Sequence, residues 1–284
     1  MSSRPPRFDF RQVALLLSTE LRDAWRNRWF VLYSAVFTVL ALAMSWIGLA
    51  GVSGSGGFTS LARTAASLIN LVTLVVPLMG LTLGAGAIAP ERERGALLYL
   101  LAQPVSRLEV VAGKFLGLGA AVTASILAGF GLAALVIARR VGEGSAGPFL
   151  VFLLLAALVA LSAVSLGLLI SALAAKGSVA AGLALFVWLV LVLLGDLGLL
   201  GTSLVLKLDA RELLFAALVN PLEEFKLAAL LSIRGGLEAL GPAGLYATRT
   251  FGELLLPLLV GLLVLWIVLP LAATLAVMNR RGAL

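Results

Sequence analysis

The sequence predicts an all-α polytopic membrane protein with six transmembrane helices, an N-terminal interfacial helix and a helical external cap. Hydrophobic residues make up 61% of the 284 residues, charged residues only 12%, and the mean hydropathy is +1.11. A soluble core could not hide that much apolar surface. Six stretches of at least 19 residues carry no charge. Each can span once, because a helix needs about 20 residues to cross about 30 Å of hydrocarbon and pairs its own backbone groups.

The first helix is predicted ahead of the membrane spans. From Asp9 to Trp25, apolar residues recur at three- and four-residue spacing, and charged residues lie mostly on the other side. This pattern is typical of an amphipathic helix in the membrane interface. A plain cytoplasmic extension of the first span fits the pattern as well. We therefore divide the chain into a tail and interfacial helix, 1–28, and a transmembrane domain, 29–284.

The six spans are predicted at 29–50, 68–88, 115–137, 149–173, 179–199 and 254–276. The second contains Gly80 and Gly84, a spacing that allows another helix to approach closely, although chance spacing is the alternative. Asp196 lies near the outer end of the fifth span. An ionisable group within a span is a functional candidate by default, and a solvated or capping aspartate is the alternative.

The distribution of basic residues predicts the orientation of the chain. With both termini in the cytoplasm, 13 of the 21 Lys and Arg residues lie inside, and most of the others fall in one long external segment. Cytoplasmic loops carry an excess of Lys and Arg, so we expect cytoplasmic N- and C-termini. The net charge of +7 is explained by this distribution, and no nucleic-acid partner is expected.

Several chemistries are excluded by composition. The chain has neither cysteine nor histidine, which rules out disulfides, thiolate or imidazole metal sites, and catalysis by those residues. The phosphate-binding pattern G-x-x-x-x-G-K-[ST] is also missing, since the nearest text, Gly113-Lys114-Phe115, lacks the first glycine and the hydroxyl. We expect no catalytic residue, no metal site and no cofactor bound by this chain.

The segment 200–252 is too polar for a span and too apolar for a free loop. It predicts two amphipathic helices, at 204–218 and 222–231, broken at Asn220-Pro221. We interpret the segment as an external cap over the bundle. The residues expected to face an external partner are Asn220, Pro221, Phe225 and Lys226.

The polar segment 90–114, between the second and third spans, is the densest charged stretch in the membrane-internal part of the chain. Glu91 and Glu93 alternate with Arg92 and Arg94. One interpretation is a solvated loop whose charges neutralise each other locally. The other is a docking surface.

This segment resembles the cytoplasmic loop of ABC-2 type permeases. In that family the loop forms a coupling helix that sits in a groove of a separate ATP-binding subunit. The resemblance therefore implies an ATPase partner that carries the ATP and magnesium, and a location in the bacterial inner membrane. Ala96 departs from the threonine that is usual in the family. The residues carried over to the coupling segment by position are Glu91, Glu93, Arg94, Gly95, Pro104, Arg107 and Lys114.

A closer resemblance covers 57–70, 76–85, Asn220-Pro221, 225–229 and 240–247. These stretches are similar to the permeases of transporters that mature the copper–sulfur centre of nitrous oxide reductase. The resemblance implies a cytoplasmic ATPase, a periplasmic copper-binding accessory protein and a second copy of the chain. Without cysteine or histidine, the chain is poorly equipped for a copper relay, so a sulfur species or transmitted motion is the better expectation.

Three alternatives remain open at this point. One is an ABC exporter permease for lipids, drugs or peptides. Another is a membrane scaffold that recruits an external assembly factor without transport. The third is an intramembrane enzyme, which needs converging titratable groups within the spans and has only Asp196 there.

Overall fold

The computed structural model describes residues 9–50, 57–97, 105–141, 146–195, 210–232 and 241–281, and every long element in these ranges is an α-helix. The all-α polytopic prediction is confirmed. In chain order, the helices are α1 (Phe10–Arg26), α2 (Arg28–Ala50), α3 (Gly57–Ala85), α4 (Ala89–Glu93), α5 (Arg107–Val141), α6 (Ala146–Leu173), α7 (Gly177–Leu193), α8 (Ala210–Leu218), α9 (Pro221–Ser232), α10 (Gly241–Phe251) and α11 (Leu255–Arg281).

Among the described residues, 5 helices are long and apolar enough to cross a membrane. They are Arg28–Ile47, Ala66–Glu93, Arg107–Ala133, Phe149–Leu173 and Tyr246–Arg280. The fifth predicted span begins with the shorter apolar helix α7, of 17 residues. The rest of that predicted span, from Asp196 onward, lies outside the described ranges.

The third predicted span begins earlier than expected, because α5 starts at Arg107 rather than at residue 115. A reciprocal cap explains the start. The Glu109 backbone N–H donates to Ser106 Oγ at 3.2 Å, and Glu109 Oε2 accepts from the Ser106 backbone N–H at 2.6 Å. This is the S-x-x-E capping box, which satisfies two helix-terminal donors at once. Lys114 therefore lies inside a helix rather than in a loop.

The centre of the bundle is the contact between α3 and α6, which is made close by glycine. A Cβ on Gly84 would lie 2.5 Å from the Val164 carbonyl oxygen, and one on Gly80 would lie 2.8 Å from Ala163 Cβ. Gly167 completes the contact from the other helix, where a Cβ would lie 2.9 Å from Gly84 Cα. The close approach predicted from the Gly80–Gly84 spacing is confirmed.

Polar side chains join other helix pairs inside the bundle. Ser34 in α2 donates to Ser125 Oγ in α5 at 3.0 Å. Ser165 in α6 donates to the Ile267 carbonyl in α11 at 2.6 Å. Such bonds between helices stabilise membrane bundles modestly, by about 0.6 kcal/mol on average.

An aromatic cluster ties α2, α5, α6 and α9 together near the beginning of α6. Phe130 packs edge-on against Phe37 at 5.1 Å and against Phe152 at 5.2 Å between ring centroids. Phe152 in turn lies 5.9 Å from Phe225 of α9. Edge-to-face pairs of this kind contribute about 0.5–1.5 kcal/mol beyond their buried area.

Helix α1 packs along the first half of α5. A Cβ on Gly113 would lie 2.5 Å from Leu16 Cβ, and one on Gly117 would lie 2.6 Å from Glu20 Cβ. Gly113 of the Gly113-Lys114 pair therefore allows two helices to approach. Phe10 remains 79% exposed and Trp25 47% exposed, as expected for side chains that contact lipid at an interface.

The predicted external cap is partly inside the bundle. The break at Asn220-Pro221 is confirmed, since α8 ends at Leu218 and α9 begins at Pro221. However, Asn220, Pro221 and Phe225 are buried and contact the chain itself, rather than facing outward as expected. Lys226 is mostly buried and pairs with Glu223 at 2.8 Å.

Candidate functional site: the junction at helix α4

The short helix α4 is held in place at its start by one hydroxyl. Ser171, near the end of α6, accepts hydrogen bonds from the backbone N–H groups of Ile88 at 3.0 Å and Ala89 at 2.8 Å. The same Oγ donates to the Ala85 carbonyl at 2.7 Å, where α3 ends. A single side chain thus satisfies terminal groups of two helices, which would otherwise be unpaired.

Arg92 joins α4 to the C-terminus of α6. Its guanidinium donates to the carbonyls of Ser171 at 3.1 Å, Ala172 at 3.3 Å and Ala174 at 2.5 Å. The last carbonyls of a helix have no partner within the helix and carry its negative dipole end. A planar cation with several donors suits that position. Arg92 therefore binds the end of a membrane helix. The interpretation as a solvated loop, in which neighbouring charges neutralise each other, did not include this contact.

Lys114 is the buried centre of a second contact. Its side chain is 1% exposed, and its Nζ lies 2.6 Å from Glu91 Oε1 and 2.5 Å from Glu20 Oε1. The ammonium thereby joins α4 to α5 and to the interfacial helix α1. Burial raises the pKa of Glu20 above its usual range, and the Lys114 charge partly opposes this effect. A buried cation between two carboxylates is stable only while both remain in place.

Glu93 connects α4 to α7. Its Oε2 accepts a hydrogen bond from the Gly177 backbone N–H at 2.9 Å, at the first residue of α7. A carboxylate at a helix N-terminus satisfies a free donor and complements the dipole. Gly177 also permits close packing, since a Cβ there would lie 2.9 Å from Pro90 Cγ.

The turn after α4 requires glycine, because Gly95 has φ +74°. Arg94, just before it, is exposed. Arg107, at the start of α5, donates to the Asn279 carbonyl at 3.0 Å and so contacts the end of α11. Pro104 lies outside the described residues.

Helix α7 is also bound at its far end. Asn220 Nδ2 donates to the Leu191 carbonyl at 2.7 Å, while Asn220 Oδ1 accepts from the Leu222 N–H at 3.0 Å and caps α9. A Cβ on Gly195 would clash with Glu223 Oε1. The first turn of α7 therefore contacts α4 and the last contacts α9. Asp196, the predicted intramembrane ionisable residue, falls outside the described ranges.

Glu224 in α9 has two buried carboxylate oxygens, more unpaired buried side-chain atoms than any other described residue. It is 0% exposed, and neither carboxylate oxygen has a hydrogen-bond partner among the described residues. Burial raises the pKa of Glu224, which lies outside the five candidate spans, to about 8. The indole of Trp266 in α11 opposes part of this rise in pKa, although it does not form a hydrogen bond with the carboxylate.

Comparison with known proteins agrees with the sequence resemblance. Residues 14–283 match the family described as ABC-2 family transporter protein. The chain belongs to this family. "Probable ABC transporter permease protein NosY" of Stutzerimonas stutzeri is 37% identical over 276 residues, covering 95% of this chain and 99% of the relative. The protein of the same name from Pseudomonas aeruginosa is 39% identical over 217 residues, covering 74% of this chain and 78% of the relative.

Membership makes the chain a multi-pass permease subunit of an ABC transporter, and it implies a membrane context and an ATPase partner. In this ABC-2 permease, the fold brings three of the predicted coupling residues to one junction, namely Glu91, Glu93 and Lys114. Arg107 instead contacts the end of α11. Sequence reasoning missed Glu20 and Ser171 as members of the junction. Neither has a local motif, because each reaches the junction from a helix far away in the chain, Glu20 through Lys114 and Ser171 directly.

Proposed function

We propose that this ABC-2 permease couples ATP hydrolysis on a separate cytoplasmic ATPase subunit to transport or mechanical signalling across the membrane. The assembly would contain two copies of the chain and a periplasmic copper-binding accessory protein. Its task would be the copper–sulfur maturation of nitrous oxide reductase. The resemblance stated above and the two relatives named NosY support this assignment. In this arrangement both termini are cytoplasmic, following the distribution of Lys and Arg.

One observation carries the proposal, namely that α4 is bonded to several helices at once. Arg92 binds the end of α6, Glu93 the start of α7, and Glu91 reaches α5 and α1 through Lys114. Beside the buried Lys114 contact, Glu93 and Arg94 are exposed and available to a docking subunit. A displacement of α4 by a docked subunit therefore moves the ends of several membrane helices together.

The same contacts supply a route to the other side. Phe152 and Ala172 lie near the two ends of α6, where they contact Phe225 of α9 and Arg92 of α4. Their separation of 20 positions in the chain corresponds to about 30 Å at ~1.5 Å per residue. Helix α7 runs between the same two partners. Rigid helices bonded at both ends transmit displacement, provided that nucleotide binds two global states unequally.

The composition of the chain bears on what passes through it. Copper relays use cysteine, histidine or closely spaced methionine, and here the first two are missing and the four methionines are scattered. A sulfur-containing cargo, or force alone, suits these side chains better than copper.

The test uses the full chain with its ATPase subunit in lipid nanodiscs. Glu93→Lys with Arg94→Glu reverses the exposed charges, and should lower ATPase binding by about tenfold or more if they dock against complementary charges. Lys114→Met should leave ATPase binding intact but reduce assembly of the reductase centre. Asp23→Asn, at an exposed carboxylate on α1, is the matched control.

Unchanged ATPase binding in the charge-reversed variant would remove α4 as the docking surface. A permease that still supports reductase maturation with a hydrolysis-deficient ATPase would favour the scaffold alternative instead.

A further inference from the structure

Glu224 lies in a helix that the bundle encloses. Helix α9 packs against α3, α6, α8 and α11. Several residues around Glu224 on this helix are no more than 1% exposed, namely Leu222, Phe225 and Ala228. The Glu224 carboxylate is closed off from bulk solvent, and neither of its oxygens receives a hydrogen bond from the described part of the chain.

Among the residues that the structure describes, no lysine or arginine donates a hydrogen bond to the Glu224 carboxylate. On α9 itself, Lys226 pairs with Glu223 at 2.8 Å. Helix α6 has no titratable residue at all. The charged residues on the other elements packed against α9 are Arg63 in α3, Arg211 and Glu212 in α8, and Arg280 and Arg281 at the end of α11.

Physical chemistry then restricts the state of this side chain. Burying an isolated carboxylate costs so much that such a group takes up a proton instead. A neutral acid can stay in the apolar contact between α9, α6 and α11, whereas an ionised one needs water or a counterion. Since the contact around Phe225 is closed, solvation of the charge requires α9 to move away from the bundle.

We propose that Glu224 is a proton-binding site that controls the docking of α9, which packs against the bundle when Glu224 is protonated and is released when the proton is lost. The proton leaves to water once α9 begins to open, and it returns when the helix closes. This property belongs to the permease chain itself and does not depend on the ATPase or the cargo. The proposal can therefore fail while the proposed function stands, and the reverse also holds.

The protonation state is tested by infrared spectroscopy on the full chain in lipid nanodiscs. A protonated carboxylic acid has a carbonyl stretch that is separate from the carboxylate and amide bands. We expect this band to persist at neutral pH in the wild type and to vanish as pH rises past about 8. It should be missing in Glu224→Gln and retained in Glu212→Gln, at an exposed carboxylate of α8.

The docking of α9 is tested by thiol labelling, for which a chain without cysteine gives no background. The probe is Ala228→Cys, because Ala228 is 0% exposed and a thiol there can be labelled only when α9 opens. The reference is Val219→Cys, at 71% exposed, which gives the pH dependence of labelling for an accessible thiol. The labelling rate at 228 relative to 219 should rise about tenfold between about pH 6 and pH 9, since that range spans a carboxyl pKa that burial has raised. The Glu224→Gln background should remove this rise.

Two results would overturn the proposal. One is an infrared spectrum of the wild type that matches Glu224→Gln at neutral pH. The other is a labelling ratio that rises equally in both backgrounds. Glutamine has the shape of the neutral acid, so the variant retains the packing, and unchanged elution on size exclusion confirms its fold.

Discussion

Replacing Lys114 by methionine tests whether the buried ion contact stabilises the junction. The substitution keeps the length of the side chain and removes the charge between Glu20 and Glu91. Two carboxylates would then face each other without the cation, with side chains 15% and 34% exposed. Removing one partner of a buried ion pair costs about 3–5 kcal/mol.

The lower part of that range applies, for two reasons. Glu91 is about one-third exposed, so water screens its charge. Glu20 can take up a proton, because burial has already raised its pKa. We therefore expect a loss of about 3 kcal/mol at neutral pH. Without Lys114 the pKa of Glu20 rises further, so the loss should shrink as pH falls through that pKa.

The measurement is equilibrium unfolding in mixed micelles, followed by circular dichroism. The control is the triple variant Glu20→Gln, Lys114→Met, Glu91→Gln, which removes every charge and should lie within about 1 kcal/mol of wild type. The reasoning is refuted if the single variant is as stable as wild type, or if the triple variant is as unstable as the single one.

Three further predictions use the same unfolding assay. Gly84→Ala should cost about 1–3 kcal/mol, because its Cβ would meet backbone atoms of α6, whereas Gly182→Ala in open space should change little. Arg92→Lys should cost about 1–3 kcal/mol, because one ammonium cannot reach every carbonyl that the guanidinium binds, and equal stability would contradict this. The pKa of Glu224 is about 8 in the folded chain, against the usual 4.5. Between these two pH values the folded chain binds more protons than the unfolded chain, so the free energy of unfolding should fall as pH rises from about 4.5 to about 8. The free energy of unfolding should fall by at most about 1.4 kcal/mol per pH unit, and this pH dependence should be missing in Glu224→Gln. An unchanged pH dependence in that variant would assign the effect to another group.

The membrane helices could be predicted from sequence because lipid imposes a simple requirement, a long uncharged run for each crossing. The Gly80–Gly84 contact was also open to prediction, since small residues at that spacing are enriched where helices meet. The start of α5 was missed although its signal was present. Ser106 and Glu109 have capping-box spacing, but the apolar run that begins after Lys114 suggested a later boundary.

The junction itself was only half predictable. The local pattern around Glu91 and Glu93 marked the segment as a candidate docking surface, but it did not show what each charge binds. Those partners lie 23 and 84 residues away in the chain. Burial of Phe225 was missed for a related reason. Amphipathic spacing shows that a helix has an apolar face but does not reveal whether other helices cover the remaining faces as well.

The two contacts of α4 should leave different marks on related sequences. The acceptors of Arg92 are backbone carbonyls, which every residue type provides, so positions 172 and 174 are constrained only by size. Lys114 depends instead on the side chains of Glu20 and Glu91. Across related permeases, these three positions are expected to change together or not at all, while the residues beneath Arg92 vary independently.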